Sequence, residues 1–308
     1  MNASRDKWLA TLGRLRVDRK GNTAPHKPLL LLTVLEMVEL GILREPLLPL
    51  SGELSFRFLA LWPIVAARRS QAPEIWLPFF HLKTSGIWQP LDANGAPTEE
   101  RRRAVVAQID PAFFNCLLDP GFRERLRLLL IDRYFADPAE RSALAEFAGV
   151  QLNQVDRVND AVVRYESAHR LVREVRFRLT VVPAYDYTCA LTGYKLVTAQ
   201  AGSIVDAAHI HQFANSRNND PRNGLALSKN AHWAFDQGLW SLTDDFRVIL
   251  AKTRFRETGP TSMLLATFEG KRIGLPKDKS LWPDPRHLSW HRQHRLSDLA
   301  PNSVLPAS

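Results

Sequence analysis

An α+β chain of two domains is predicted from three observations. Between Ser203 and Leu242, a strand-like run, a loop of turn formers, a second apolar run, a short helical pattern and a third strand-like run follow one another. Before Tyr134, apolar stretches of helical length are mixed with short strand-like segments. Between these halves, Ala136-Asp137-Pro138-Ala139-Glu140 interrupts the pattern with a proline and two acids. A length of 308 residues suits two domains, each large enough for its own core.

Taken in order, Ala24-Pro25-His26-Lys27-Pro28 opens a helix with proline at its start, where a missing N–H costs nothing. The run Leu29 to Leu35 is followed by Glu36 and Glu39, so it reads as a buried helix and is too short to cross a membrane. Ile75 to Leu82, with Gly86-Ile87-Trp88 after it, is apolar and aromatic. A helix is predicted over 141–148 and a longer one over 156–179. In the latter, Val158, Ala161, Val162, Tyr165, Leu171 and Val172 recur near the helical period, with Arg164 and Arg170 between them and Arg173, Arg176 and Arg178 after them. This basic amphipathic helix would join the halves. The proposed division is residues 1–134, a helical linker over 135–180, and 181–308.

In the second half, Ser203 to Ile210 has strand character. Asn215 to Arg222 holds three Asn, a Ser and the Asp220-Pro221 pair, and therefore turns. Leu225-Ala226-Leu227 is the next strand, and Ser228 stands at the N-cap of a helix carrying His232 and Asp236 on one face. Gly238 ends that helix, and Leu239 to Leu242 returns as a strand. After Leu275, five prolines (Pro276, Pro283, Pro285, Pro301, Pro306) predict an irregular tail.

Composition bounds the partners. Apolar content of 45% and charged content of 24% are those of an ordinary globular protein. There is no run of 18 or more apolar residues and no signal-peptide profile, so a cytoplasmic protein without a membrane partner is expected. Two widely separated cysteines, Cys116 and Cys189, predict no disulfide framework, and a four-cysteine structural zinc site is impossible with two. A formal charge of +9 favours a polyanion. Seven Lys or Arg lie within residues 1–30, and further clusters stand at Arg68-Arg69 and Arg101-Arg102-Arg103. Any one cluster can be a solvated face.

His209, Asn223 and His232 lie within about 30 residues, the distance over which one hairpin and its helix can gather a proton acceptor, an orienting amide and a metal donor. The segments Ala208-His209-Ile210, Asn223-Gly224-Leu225-Ala226-Leu227 and His232-Trp233-Ala234-Phe235-Asp236-Gln237-Gly238 together resemble the HNH endonucleases of the ββα-metal type, over roughly Tyr187 to Leu250. The resemblance implies that His209 activates water, Asn223 holds the base or its loop, and His232 binds a divalent metal, Mg²⁺ or Mn²⁺. Many such proteins place a metal-binding Asp or His just before the base; here that position is Ala208. The carboxylate then comes from Asp236, one helical turn beyond His232, or from Asp206, which a regular strand puts on the face opposite His209.

The N-terminal half has its own pattern. His26-Lys27-Pro28 at a helix start, with Trp76-Leu77-Pro78-Phe79-Phe80-His81-Leu82, resembles the DNA sulfur-binding domain of McrA-type modification-dependent restriction endonucleases, over residues 5–130. That implies a reader site lined by His26, Lys27, Pro78, Phe80 and His81, acting on modified double-stranded DNA. The plainer alternative is a helix cap and an aromatic core. The expectation is thus an N-terminal DNA-recognition domain and a C-terminal HNH nuclease that restricts modified DNA, with dimerisation left open. Competing readings are a DNA-binding regulator with an inactive nuclease domain and an HNH nuclease acting on unmodified sites.

Overall fold

Apolar runs too long for strands and bounded by proline or aspartate build most of the helices of this computed structural model, which describes residues 2–18, 23–66, 71–152 and 162–296. The basic positions Arg19, Lys20, Arg68 and Arg69, the expected helix start over 156–161, and the prolines Pro301 and Pro306 lie outside the described residues. Two compact units are present: Met1–Val175 with Thr198–Gly202, and Arg176–Val197 with Ser203–Ser308. Among the described residues, no helix is long and apolar enough to cross a membrane.

Unit 1 begins with α1 (Asn2–Leu12), followed by α2 (His26–Glu39), β1 (Leu47–Pro49), α3 (Gly52–Ala66) and α4 (Trp76–His81). After β2 (Trp88–Leu91) and β3 (Val106–Ile109) come α5 (Pro111–Leu117), α6 (Pro120–Tyr134) and α7 (Pro138–Ala148). The strands form one antiparallel sheet in the order β1-β3-β2. Asp110, Asp119 and Asp137 each accept a backbone N–H at the start of α5, α6 and α7, and each is followed by proline. That pairing satisfies otherwise unpaired donors with a ring already set at helical φ. The expected helix over 141–148 is therefore α7, begun three residues earlier by its Asp-Pro cap. Leu29, Leu30, Leu31 and Leu32 of α2 are all buried, each stabilising the unit by about 1.5–3 kcal/mol.

The division between units falls within α8 (Val162–Ala184), which takes in Pro183 at its last turn. A short ribbon, β4 (Val197–Thr198) with β5 (Gly202–Ser203), precedes β6 (Val205–His209). Then follow α9 (Phe213–Ser216), β7 (Gly224–Ser228), α10 (Lys229–Asp236), β8 (Trp240–Leu242), β9 (Val248–Leu250) and α11 (Pro285–His291). β6 and β7 pair antiparallel, His209 opposite Gly224 and Val205 opposite Ser228. Trp240 is fully buried and its indole N–H donates to the Ala231 carbonyl at 3.0 Å, fastening β8 to α10.

Two glycines are required by contact. A Cβ on Gly224 would stand 2.5 Å from Val181 Cγ2 and 2.8 Å from Phe177 Cζ, so only glycine lets β7 lie this close to α8. Gly238 has φ +64°, and a Cβ there would meet the Arg295 carbonyl at 2.0 Å. It ends α10 as the sequence predicted, with Leu239 N–H donating back to the Ala234 carbonyl. Ser228 occupies the N-cap position but makes no side-chain capping bond.

The tail departs from expectation. α11 is regular, because Asp284 accepts the Arg286 N–H and Pro285 takes the first helical position. A proline that breaks a helix from inside starts one here.

Candidate active site

Hairpin register places His209 at the mouth of the β6–β7 pair, where the loop over 210–223 departs. Its ring lies flat on Phe177 of α8, centroids 3.9 Å apart and planes within 6°, with Phe213 tilted against it at 5.7 Å. Nε2 stands 2.9 Å from Asn219 Oδ1. With the amide oriented so, Nε2 carries the proton and Nδ1 keeps the lone pair. Stacking and one hydrogen bond thus fix both the ring plane and the tautomer.

Asn223 is fully buried. Its Oδ1 accepts the His211 N–H at 2.8 Å, and its Nδ2 donates to the carbonyls of His211 (2.9 Å) and Asn218 (3.1 Å). The Asn223 carbonyl also accepts the Ile210 N–H at 2.9 Å. One amide therefore ties both ends of the loop together beside His209. Its bonds go to loop backbone, so it positions the loop.

His232 and Asp236 face each other one turn apart on α10, Nε2 to Oδ2 3.4 Å, with side chains 27% and 42% exposed. Burial pushes the Asp236 carboxyl above the usual carboxylate range, while the charges of His232, Arg295 and His209 pull it back. His209 is thus within electrostatic reach of the His232–Asp236 pair. Asp206 points elsewhere: its Oδ1 lies 3.0 Å from Arg178 Nε and also accepts the Ala207 N–H. Among the described residues, no group of three or more His, Cys, Asp or Glu could hold a metal. A half-buried carboxyl disfavoured by desolvation, beside an imidazole, nevertheless fits a hard divalent cation that keeps part of its water shell.

Sequence reasoning did not find Phe177, Asn219 or Arg295, whose guanidinium donates to the Asp236 carbonyl. It also passed over the histidines beyond the hairpin. His211 stacks on Trp290 at 3.9 Å, and His291 stacks on Phe235 at 3.7 Å. His291 is 1% exposed, with Nδ1 2.9 Å from Ser241 Oγ and Nε2 3.2 Å from the Phe235 carbonyl. Burial pushes its pKa down to about 3; the Phe235 bond opposes this, and Arg295 and Arg292 add to it. The unfolded chain binds this proton below about pH 6.5 and the folded one only near pH 3, so stability falls as pH drops through that window. The expected loss is about 1.4 kcal/mol per pH unit. Thermal melts between pH 7 and 4.5 should therefore slope more steeply for wild type than for His291→Asn; equal slopes would refute this.

In unit 1 the expected reader residues divide. His26 packs its ring 4.8 Å from Trp62, and its Nε2 lies 2.9 Å from the Ala72 carbonyl. Pro78 and Phe80 are buried, with Lys83 Nζ 4.0 Å above the Phe80 ring. His81 is exposed; its pKa is lowered by desolvation and then by the charges of Lys27, Arg101 and Lys83, so these three cations lie within electrostatic range of it.

Residues 189–243 match the family model described as HNH endonuclease. A solved structure titled "Modification dependent TagI restriction endonuclease" is similar at 19% identity and a TM-score of 0.29, covering 48% of this chain and 41% of that one. The chain thus spans less than half of that protein's length. No curated protein matches the sequence. With that match covering the hairpin, its pinned loop and α10, residues 189–243 are an HNH endonuclease domain.

Proposed function

We propose that the protein hydrolyses phosphodiester bonds in modified duplex DNA, with His209 as general base and a divalent metal held by His232 and Asp236. The observation that carries this reading is the fixed His209 ring within electrostatic reach of the His232–Asp236 pair. Nδ1 of His209 takes the proton from the attacking water, while Asn219 holds the opposite ring nitrogen and Phe177 keeps the ring from turning. Asn223 acts through the loop backbone. A bound Mg²⁺ or Mn²⁺ would supply charge stabilisation at the scissile phosphate. Residues 1–134 serve as the DNA-reading domain, 135–180 as a helical linker and 181–308 as the nuclease domain. Support for the reading role is the His26-Lys27-Pro28 and Trp76–Leu82 pattern, with Lys27, Lys83 and Arg101 within electrostatic range of His81. Restriction of foreign or modified DNA in the cytoplasm is the corresponding role. Matched plasmids, unmodified, phosphorothioated, methylated or hydroxymethylated, incubated with Mg²⁺ or Mn²⁺, test it; equal cutting of all four would reject modification dependence.

The metal assignment makes a separate prediction. Asp236→Asn should raise the metal concentration for half-maximal cleavage by about tenfold or more, because it removes a donor charge. His232→Ala should abolish cutting, with partial rescue at high metal. Asp206→Asn should leave the metal dependence unchanged, since that carboxylate is engaged by Arg178. A shift with Asp206→Asn and none with Asp236→Asn would reverse the assignment.

A further inference from the structure

α1 has two faces. Trp8, Leu12 and, just beyond its end, Leu15 are buried, whereas Lys7 and Thr11, four apart, share the outer side and Arg14 is exposed in the turn that follows. With Arg16, and with Thr84 and Ser85 from the 3₁₀ turn after α4, they line a cleft of about 400 Å³ within unit 1. Three lining side chains are cations and none is an acid. Among the described residues no carboxylate pairs with Lys7, Arg14 or Arg16, whereas nearby Arg5 is bound by Asp119 at 2.7 Å.

The carbonyls at the end of α1 do not neutralise these charges. The Leu12 carbonyl accepts Tyr134 Oη at 2.6 Å and the Gly13 carbonyl accepts Arg133 Nε at 3.3 Å. Lys27 brings a fourth cation, its Nζ donating to the Arg16 carbonyl at 2.8 Å; its pKa is lowered by burial and then by the Arg16 charge. Crowded cations around an open cleft repel one another, and an anion relieves that repulsion. The hydroxyl protons of Thr84 and Ser85 are already committed to the His81 and Leu82 carbonyls. Recognition here is therefore by charge, with no fixed donor pattern to read a base. That chemistry suits a sugar–phosphate backbone, whose contacts position a protein without selecting sequence.

We infer that this cleft, which adjoins Lys27 but is lined by none of the five residues expected to read DNA, grips a backbone phosphate of duplex DNA. The assignment rests on the proposed reading of the chain as a DNA endonuclease. The test uses full-length protein in EDTA, with fluorescence anisotropy of a labelled duplex across a salt series. Wild type is compared with Lys7→Gln, Arg14→Gln and the double variant, which keep much of each side-chain stem. Each lost phosphate contact should reduce the slope of log Kd against log salt by about 0.9, and the double variant by about 1.8. The double variant should also bind at least about tenfold more weakly at moderate salt, with any two unrelated duplexes affected alike. Arg44→Gln, an exposed arginine away from the cleft, should leave the slope at the wild-type value.

Unchanged slopes in the double variant, with wild type binding and cutting DNA, would overturn the cleft alone. A wild type that binds duplex but never cuts it with Mg²⁺ or Mn²⁺ counts against the nuclease reading, and the slopes still decide the cleft. Unchanged duplex slopes together with weakened ATP binding would assign the cleft to a free nucleotide and reject DNA.

Discussion

Replacing His209 with alanine is expected to lower DNA cleavage by about 10²–10⁴-fold while leaving duplex affinity near wild type. On the proposed mechanism, the substitution removes the atom that takes the proton from water. It leaves untouched the basic side chains of unit 1 and the His232–Asp236 pair on α10. The loss should appear in kcat at saturating DNA, with little change in half-saturating concentration, because the base acts in the transition state. The ring also fills space against Phe177, so a cavity term in stability is expected too. Measuring the melting temperature of the same variant separates that term from the chemistry. Nicking within about tenfold of wild type would reject His209 as the base.

Asn223→Ala is expected to act through folding as well as activity. Alanine would strip partners from the His211 N–H, the His211 carbonyl and the Asn218 carbonyl at once. A fully buried group left unpaired costs about 1–3 kcal/mol; these bonds are part-buried and water reaches some of the groups, so a total loss of about 1–3 kcal/mol is expected. Asn223→Asp should be no rescue, since it turns a donor toward two carbonyls into an acceptor. Denaturant titration read alongside cleavage decides between roles. A variant with wild-type stability and no cleavage would make Asn223 a chemical participant; one normal in both would remove it from the site.

What the sequence disclosed at the site is local. His209, Asn223, His232 and Asp236 sit on consecutive elements, so hairpin alternation and one helical turn suffice to foresee their arrangement. Phe177 and Arg178 lie about thirty residues before the hairpin, on a helix whose approach depends on Gly224 having no side chain. Spacing carries no signal for such a contact. Asn219 was one asparagine among several in a turn-rich loop, and only the closed loop shows which of them reaches His209. The helix Pro285–His291 was hidden by prolines, whose effect changes sign between a helix interior and its first position. In unit 1, Pro78 and Phe80 are equally apolar whether they line a site or fill a core, and tertiary packing buries them.

The turn that opens the nuclease domain bears on how metal experiments can be interpreted. Cys189 accepts the Gly193 N–H on its carbonyl and donates its own N–H to Tyr194, while Ala190 N–H reaches the Ala226 carbonyl and the Ala190 carbonyl accepts the Gly274 N–H. These peptide groups close the knuckle and fasten it to β7, helped by Thr192 Oγ1, which accepts the Tyr194 N–H, and by the Cys189 thiol, 3.6 Å from Ser228 Oγ. On these bonds, EDTA is expected to lower turnover while leaving the melting temperature unchanged; a melt that falls with EDTA would show that an ion also supports the architecture. With the melt unchanged, inhibition by EDTA is assigned to catalysis, and on the proposed metal assignment a metal titration reads occupancy at α10.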